Sequence, residues 1–400
     1  MEKVSMRTPL VEMDGDEMTR ILWGLVKEKL ILPFVDLKTE YYDLGIQNRD
    51  KTLDNVTVEA ARAILQHGVG VKCATITATA ARKKEYALEN MLPSPNATIR
   101  AVLDGAIFRK PINVSRVKPA IPSWKRPIVI GRHAYGDVYK NTEMSITAPG
   151  KVELVFTGHD GTERRSLVAD MKSSGVVQGI HNYDDSIRGF ARSCFIYALD
   201  EGLPVLFAAK DTISQTYDAR FRDIFRNVYE TEYKNKFAQK NIDYHYALID
   251  DAVARAVKSE GGFLWACKNY DGDVMSDMIA SAAGSLAMMT SALVSPEGRY
   301  EYEAAHGTVQ RHYYRYLQGE KPSTNPTALI FAWAGALEKR AVLDGIAPLE
   351  EFAKRLRSVS LQTIESGRMT GDLAASAGCI PLDSWEFIDE IARGLRSSAK

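Results

Sequence analysis

Apolar positions along the chain follow two rhythms that alternate: short unbroken runs, and a recurrence every three to four residues. The run at 9–13 predicts a buried strand, Asp14-Gly15-Asp16 a turn, and 17–30 a helix. The same sequence of signals predicts a helix over 59–66 and a buried strand over 68–76, then strands at 127–131 and 204–209. A helix laced with i,i+4 charges is predicted over 220–241. From Pro326 onward the pattern is helical, with Asn325 as the N-cap and Pro326 at the first helical position. One region breaks the alternation. Residues 151–156 and 162–168 alternate apolar and polar around Asp160-Gly161, which predicts an antiparallel hairpin inserted into a strand–helix chain. The whole pattern argues for an α/β sheet protein.

Composition narrows the function classes. Lys plus Arg and Asp plus Glu are 51 each over 400 residues, so bulk electrostatics do not recruit nucleic acid. At 45% hydrophobic and 26% charged the chain can bury a large core without staples. Cys73, Cys194, Cys267 and Cys379 are widely spaced, with no C-x-x-C and no H-E-x-x-H, which speaks against zinc and for buried thiols acting as small hydrophobes. The start of the chain lacks the apolar stretch of a leader, and its last residues are not a peroxisomal address, so a cytoplasmic protein is expected. The longest apolar stretch, 327–337, stops at Glu338, far short of a membrane span. The sequons at Asn55, Asn96 and Asn113 then read as chance or structural. No G-x-G-x-x-G, P-loop or G-x-S-x-G is present.

Three constellations could carry chemistry. In Asn269-Tyr270-Asp271-Gly272-Asp273, followed by Asp277, two carboxylates stand four residues apart and share one face if the segment is helical. Such a pair suits a hard cation, Mg²⁺ or Mn²⁺, with Asp250 as a third candidate ligand. A solvated acidic helix start capped by Asp271 and Asp273 fits the spacing equally well; an EF-hand does not, for want of the distal Glu. Arg100, Arg109 and Arg132 each follow or interrupt an apolar segment. Together they suit a ligand with several carboxylates; singly, each suits a structural salt bridge. Ser94-Pro95 ahead of Asn96 looks like a helix start that would add anion affinity. Finally, His306-Gly307-Thr308-Val309-Gln310-Arg311-His312 could cradle a phosphate, although a lone histidine such as His306 is also a common structural residue.

Longer words then carry a resemblance. Gly131-Arg132-His133-Ala134-Tyr135-Gly136-Asp137, Lys72-Cys73-Ala74-Thr75-Ile76-Thr77, Ser94-Pro95-Asn96-Ala97-Thr98-Ile99-Arg100, the 269–273 segment and Ala304-Ala305-His306-Gly307-Thr308-Val309 occur in one order between about residues 13 and 374. In these the chain resembles the NADP-dependent isocitrate dehydrogenases, specifically the homodimeric subfamily typical of eukaryotes and some bacteria. The resemblance implies oxidation of isocitrate at its hydroxyl carbon, loss of CO₂, and formation of 2-oxoglutarate and NADPH. It implies substrate contacts by Arg100, Arg109, Arg132, Ser94, Asn96 and Thr77. It also implies a Mg²⁺ or Mn²⁺ ion held by Asp273, Asp277 and a second subunit's Asp250, with an acid–base pair of Tyr139 and a Lys210 contributed across the dimer. Cofactor contacts fall on Lys72, Thr75, Thr77, Arg82, Lys258, His306, Gly307, Thr308, Val309 and Asn325, with Arg311 and His312 meeting the 2′-phosphate.

The implied fold is that of the isocitrate/isopropylmalate dehydrogenases: a large α/β domain (1–103 and 283–400), a small α/β domain (104–136 and 184–282) and a clasp (137–183) that joins two subunits. That sheet is not a Rossmann sheet, in keeping with the absent glycine fingerprint. A monomer is expected to be inactive, and neither nucleic acid nor membrane is an expected partner. Some positions depart from the family. Ala78-Thr79-Ala80 stands for the usual Pro-Asp-Glu, Arg255 for glutamine, His181 for tyrosine, and Ala283 and Ala287 for tyrosine and glycine. Asp211 stands for asparagine; were its carboxylate to approach Lys210, the lysine would be a poorer base. Rival expectations are a related decarboxylating dehydrogenase of an isopropylmalate-like acid, and a non-catalytic regulatory paralogue.

Overall fold

A computed structural model describes residues 3–117, 119–283 and 288–398. Ala287, and the first and last two residues used in reading the chain ends, lie outside the described residues. In chain order the strands are β1 (Val4–Ser5), β2 (Leu10–Asp14), β3 (Val35–Asp36), β4 (Thr39–Asp43), β5 (Val69–Lys72), β6 (Ala106–Pro111), β7 (Val129–Arg132), β8 (Thr142–Ile146), β9 (Gly150–Thr157), β10 (Glu163–Met171), β11 (Gly175–Gly179), β12 (Val205–Ala209), β13 (Tyr244–Leu248), β14 (Leu264–Cys267), β15 (Met289–Val294) and β16 (Tyr300–Ala304). The chain forms two units, Met1–Ala134 with Asp184–Lys400, and Tyr135–Tyr183.

The first unit is built on a ten-stranded sheet ordered β13-β12-β14-β7-β6-β15-β16-β5-β2-β4. Strands β13, β12, β14 and β7 are mutually parallel. β6 reverses against β7, β15 against β6, and β16 against β15. β5, β2 and β4 then run parallel to β16. Two parallel blocks of opposite direction therefore meet at an antiparallel centre.

Helices cover both faces, as parallel strands require, and the two-residue period of the strands sorts the cores. Along β12, Val205, Phe207 and Ala209 pack against helices Asp184–Glu201 and Tyr217–Val228. Leu206 and Ala208 face helices Ile249–Lys258 and Asn269–Ala283. In the other block, Val69 and Val71 meet helices Glu17–Val26 and Thr327–Asp344, whereas Val11 and Met13 meet Asn55–His67 and Pro95–Leu103. Trp23 and Trp333 lie with ring centroids 4.8 Å apart in the larger core, a contact worth about 1 kcal/mol beyond burial. The cysteines are free; Cys73, Cys194 and Cys267 are buried, and burial pushes the Cys73 thiol up to about 12.

Most predicted elements are present, with shifted ends. The helix expected over 17–30 is α-helical at Glu17–Val26 and widens to a π turn at Lys27–Ile31. That expected over 220–241 starts at Tyr217, has a π turn at Tyr229–Tyr233 and ends at Gln239. The helix expected over 59–66 extends to Asn55–His67. The strand expected over 68–76 stops at Lys72, after which the backbone leaves the sheet to form the loop that carries Thr75 and Thr77. The N-cap is Pro326, not Asn325; Asn325 stands one residue earlier, its Oδ1 accepting from Thr327 N–H at 2.9 Å. Among the described residues no helix is long and apolar enough to cross a membrane.

The second unit holds the predicted hairpin, β9 against β10, and a second antiparallel pair, β8 against β11. Its turn is set by Asp160, which accepts from Thr162 N–H at 3.0 Å, and by Gly161 at φ +84°. Leu154, Phe156, Leu167, Val168 and Val176 are exposed on these ribbons.

Candidate active site

The antiparallel centre of the sheet places unlike groups on its two faces. On β16, Glu301 and Glu303 alternate with Tyr300 and Tyr302; on β6, Arg109 stands between Phe108 and Lys110. The tyrosines, Phe108 and Lys110 line a cavity of about 700 Å³. There the Tyr300 hydroxyl and Lys339 both donate to Asp200, at 2.5 and 2.6 Å. The charged residues on the opposite face build the candidate site.

Arg109 donates to Ser276 Oγ at 3.1 Å and lies 3.4 Å from Asp277. Arg132, the last residue of β7, donates from Nε to Asn269 Oδ1 at 2.9 Å and pairs with Asp273. Asp273 and Asp277 lie one turn apart on helix Asn269–Ala283. That helix starts before Asp271, so Asp271 and Asp273 sit within its first turns and are not caps. Gly272 permits the approach: a Cβ there would fall 2.8 Å from Arg132 Cβ.

Arg100 is on helix Pro95–Leu103, not at a strand end, and reaches Glu303 at 3.9 Å. Lys72 Nζ donates to the same carboxylate at 3.2 Å and Ser291 Oγ at 3.4 Å. Burial raises the Glu303 carboxyl, but Lys72 and Arg100, helped by Arg109, outweigh it and hold the group below its usual range. In its neighbour Glu301, burial and then the Glu303 charge outweigh the opposing pull of Lys72 and Arg100 and push the carboxyl up to about 8. The three arginines therefore share one neighbourhood. Arg109 and Arg132 meet along one helix, and Arg109 and Arg100 meet through the field of Glu303.

Lys210 and Asp250 follow the carboxyl ends of β12 and β13, and Lys210 Nζ lies 2.6 Å from Asp250 Oδ1. That lysine holds the Asp250 carboxyl below the ordinary range. The Asp211 carboxylate, whose approach to Lys210 would have made the lysine a poorer base, is engaged by Tyr246 at 2.5 Å and by Arg222. Tyr139 lies in the second unit, in the turn Asp137–Lys140, and is exposed.

The expected nucleotide residues are gathered unevenly. Lys72 is buried at the end of β5. Arg82 forks onto Glu17 at 2.8 and 3.2 Å, and the Thr308 hydroxyl donates to the same carboxylate. Val309, at φ +56°, precedes helix Gln310–Leu317, which carries Arg311 exposed and His312 bonded to Thr324 at 2.7 Å. Burial, followed by Arg311 and Arg315, lowers the His312 ring below its usual value. Burial likewise lowers His306, whose Nδ1 lies 2.9 Å from Gly307 O. Gly307 and Thr77 are exposed. Asn325 spends its side chain on the fold, bonding Thr327 and, at 2.9 Å, Asp372. Lys258 is exposed at the last turn of helix Ile249–Lys258, with Arg255 beside it along a shallow groove.

Several candidate residues carry buried polar atoms without a hydrogen-bond partner among the described residues: Thr75 Oγ1, Asn96 Oδ1, Arg109 Nε and His306 Nε2. Such atoms are what a bound polar ligand would satisfy. Ser94 caps helix Pro95–Leu103 by position without using its hydroxyl on that helix. Asp273 and Asp277 offer the all-oxygen donors a hard dication needs. Among the described residues, no cluster of three or more His, Cys, Asp or Glu forms around them.

Sequence reasoning missed Glu17, Glu301 and Glu303. The last two had a signal: acidic residues at alternate positions of a five-residue strand whose other side chains are apolar or aromatic. Glu17 resembled an ordinary acidic residue in a first helical turn and had none.

The isocitrate/isopropylmalate dehydrogenase family profile matches residues 5–391. The NADP isocitrate dehydrogenase 1 of Mycobacterium tuberculosis is 50% identical over 400 residues, covering 98% of this chain and 97% of that protein. The mitochondrial NADP isocitrate dehydrogenase of Saccharomyces cerevisiae is 49% identical, covering 100% and 95%. The chloroplastic/mitochondrial NADP isocitrate dehydrogenase of Arabidopsis thaliana is 49% identical, covering 100% and 84%. With its charged site on an antiparallel-centred sheet and a match of this extent, the chain belongs to the isocitrate/isopropylmalate dehydrogenase family.

Proposed function

We propose that this protein catalyses the NADP-dependent oxidative decarboxylation of isocitrate to 2-oxoglutarate. The observation that carries the reading is the convergence of Arg100, Arg109 and Arg132 on one face beside the Asp273–Asp277 pair. Three guanidinium forks match a tricarboxylate. The Ser94 hydroxyl and the Asn96 amide favour a third carboxylate over an alkyl group, which disfavours an isopropylmalate-like substrate. Retention of Tyr139, Lys210, Asp250, Asp273 and Asp277 disfavours a non-catalytic paralogue.

A Mg²⁺ or Mn²⁺ ion on Asp273, Asp277 and a second copy's Asp250 would acidify the substrate hydroxyl and stabilise the enolate left after CO₂ loss, and NADP would accept the hydride. Lys210 takes the hydroxyl proton, and Tyr139 returns a proton to the enol carbon. Arg311 and His312 read the 2′-phosphate, and Lys72, Thr75, Thr77, Arg82, Lys258, His306 to Val309 and Asn325 complete the nucleotide contacts.

The reading includes a cytoplasmic homodimer with shared sites. Large and small domains divide near residues 103 and 283, and the clasp at 137–183 joins two copies through the exposed apolar ribbons. Its metabolic setting is isocitrate consumption in the citric acid cycle or beside the glyoxylate bypass. The test is absorbance at the reduced-nicotinamide band with isocitrate and each cofactor, with and without chelator. NADPH formation abolished by chelator is expected. Turnover with isopropylmalate but not isocitrate, or equal rates with NAD, would overturn it.

A further inference from the structure

Two carboxylates that no proposed catalytic or binding role uses, Glu17 and Glu85, both hold Arg82 at Nη1. We propose that Glu17 is the positioning residue of the nucleotide site. Glu85 is a displaceable carboxylate, holding Arg82 until a dinucleotide phosphate takes its place. The inference deepens the functional reading and rests on its assignment of Arg82 and Thr308 to the cofactor.

Glu17 draws three separate segments onto one carboxylate. Arg82 reaches it from helix Ala80–Glu85 at 2.8 and 3.2 Å. The Tyr86 hydroxyl donates from the end of that helix at 3.0 Å, and the Thr308 hydroxyl donates from the loop before helix Gln310–Leu317. The short helix is itself started by Thr79, whose Oγ1 accepts from Arg82 N–H at 3.2 Å. Thr79 belongs to the segment that departs from the family's Pro-Asp-Glu, and here it supplies the cap that aims Arg82.

The Glu17 side chain is 1% exposed and its backbone is left-handed, at φ +53°. A non-glycine residue keeps that conformation only where its surroundings impose it. Moving this carboxylate away would strand a buried charge, so it stays when a ligand arrives.

Glu85 is the opposite case. Its side chain is 30% exposed and takes one Arg82 nitrogen at 2.9 Å. It also accepts from Tyr314, which in turn accepts from Gln310 Nε2 at 2.6 Å. Glu85 thus links Arg82 to the helix that carries Arg311 and His312. Water can take over its solvation once it is released, and a phosphate offers the guanidinium more charge than this single contact. Glu17 therefore fixes the guanidinium's direction through both terminal nitrogens, while Glu85 shares Nη1 alone, the contact that a phosphate would replace.

The experiment is a titration of the purified full chain with NADPH in the absence of isocitrate, followed by nicotinamide fluorescence. Glu17→Gln should raise Kd about tenfold, the loss expected for a charged hydrogen-bond anchor, while the KM for isocitrate stays unchanged. Glu85→Gln should shift Kd the other way, lowering it about threefold. Glu89→Gln removes the same charge from an exposed position that does not touch Arg82 and should leave Kd unmoved. If Glu17→Gln does not fold, Tyr86→Phe removes one donor from Glu17 and should weaken NADPH binding about threefold. An unaltered Kd in the Glu17 or Tyr86 variant, an equal rise in the isocitrate KM, or weaker binding by Glu85→Gln would overturn the inference. Native protein that binds no NADPH removes the functional reading and the inference together. Native binding with wrong-signed variants removes the inference alone.

Discussion

The two sides of the sheet's centre pair their cations in different ways. On the proposed substrate side, Arg109 and Arg132 rest against Asp277 and Asp273, whose side chains are 66% and 36% exposed. On the proposed nucleotide side, Arg82 and Lys72 rest against Glu17 and Glu303, at 1% and 12%. An exposed carboxylate is readily rehydrated and can be handed to another cation. A buried one cannot leave without the cost of an unpaired charge. Asp273 and Asp277 can thus exchange, as the exposed Glu85 can beside Arg82, whereas Glu17 and Glu303 stay. Asp273 and Asp277 are also the candidate metal ligands. In the proposed site, a dication held by Asp273 and Asp277 would replace Arg132 and Arg109 as their partner and leave the arginines to a polyanionic acid.

Three experiments press on this contrast. The largest effect is expected from neutralising the exchangeable carboxylates. Asp277→Asn and Asp250→Asn should each lower isocitrate turnover about a thousandfold. Mixed and refolded together, the two dead variants should recover about a quarter of native activity, because each mixed dimer regains one intact shared site. Assays that find no recovery would place Asp250 in its own chain's site. Variants that stay active would reduce both residues to salt-bridge partners.

Next in size is cofactor choice. Arg311→Asp with His312→Ile should lower kcat/KM for NADP about a hundredfold and leave NAD little changed. Equal loss with both cofactors would remove Arg311 and His312 from the phosphate site.

The smallest effect sharpens the permanent side. Glu301 is held neutral to about pH 8 by burial and by Glu303. Its folded-state value lies above that of the unfolded chain, so its contribution is complete at acid pH and is lost as pH rises through about 8. Thermal or denaturant melts of the native protein should show about 1 kcal/mol lost between pH 7 and 9 through this group. Glu301→Gln should abolish that part of the decline. An unchanged pH dependence would show that Glu301 is already ionised.

What could be read in advance depended on how local the signal was. Arg109 and Arg132 interrupt apolar runs, so their need for anionic partners was visible along the chain. Asp273 and Asp277 announced themselves by spacing, but their pairing with those arginines came from strands and a helix distant in sequence. The hairpin at β9 and β10 was legible because period-two alternation and Asp160-Gly161 are both local. The π turns were not, since a widened turn keeps the apolar stripe of the helix it interrupts. Glu17 was illegible for a further reason. Its importance lies in three donors from far along the chain, and its backbone strain leaves no mark in residue type.

Strand β16 carries phenols toward one side and carboxylates toward the other. A slip of one residue would exchange them, stranding two acids among the helices and facing two rings toward the guanidinium groups. Such a frame is self-policing against odd-numbered slips, each of which would carry the acids among the helices. Single insertions or deletions in 300–304 should therefore be far less forgivable than point changes there, and length variation among relatives should be confined to the turns at its ends.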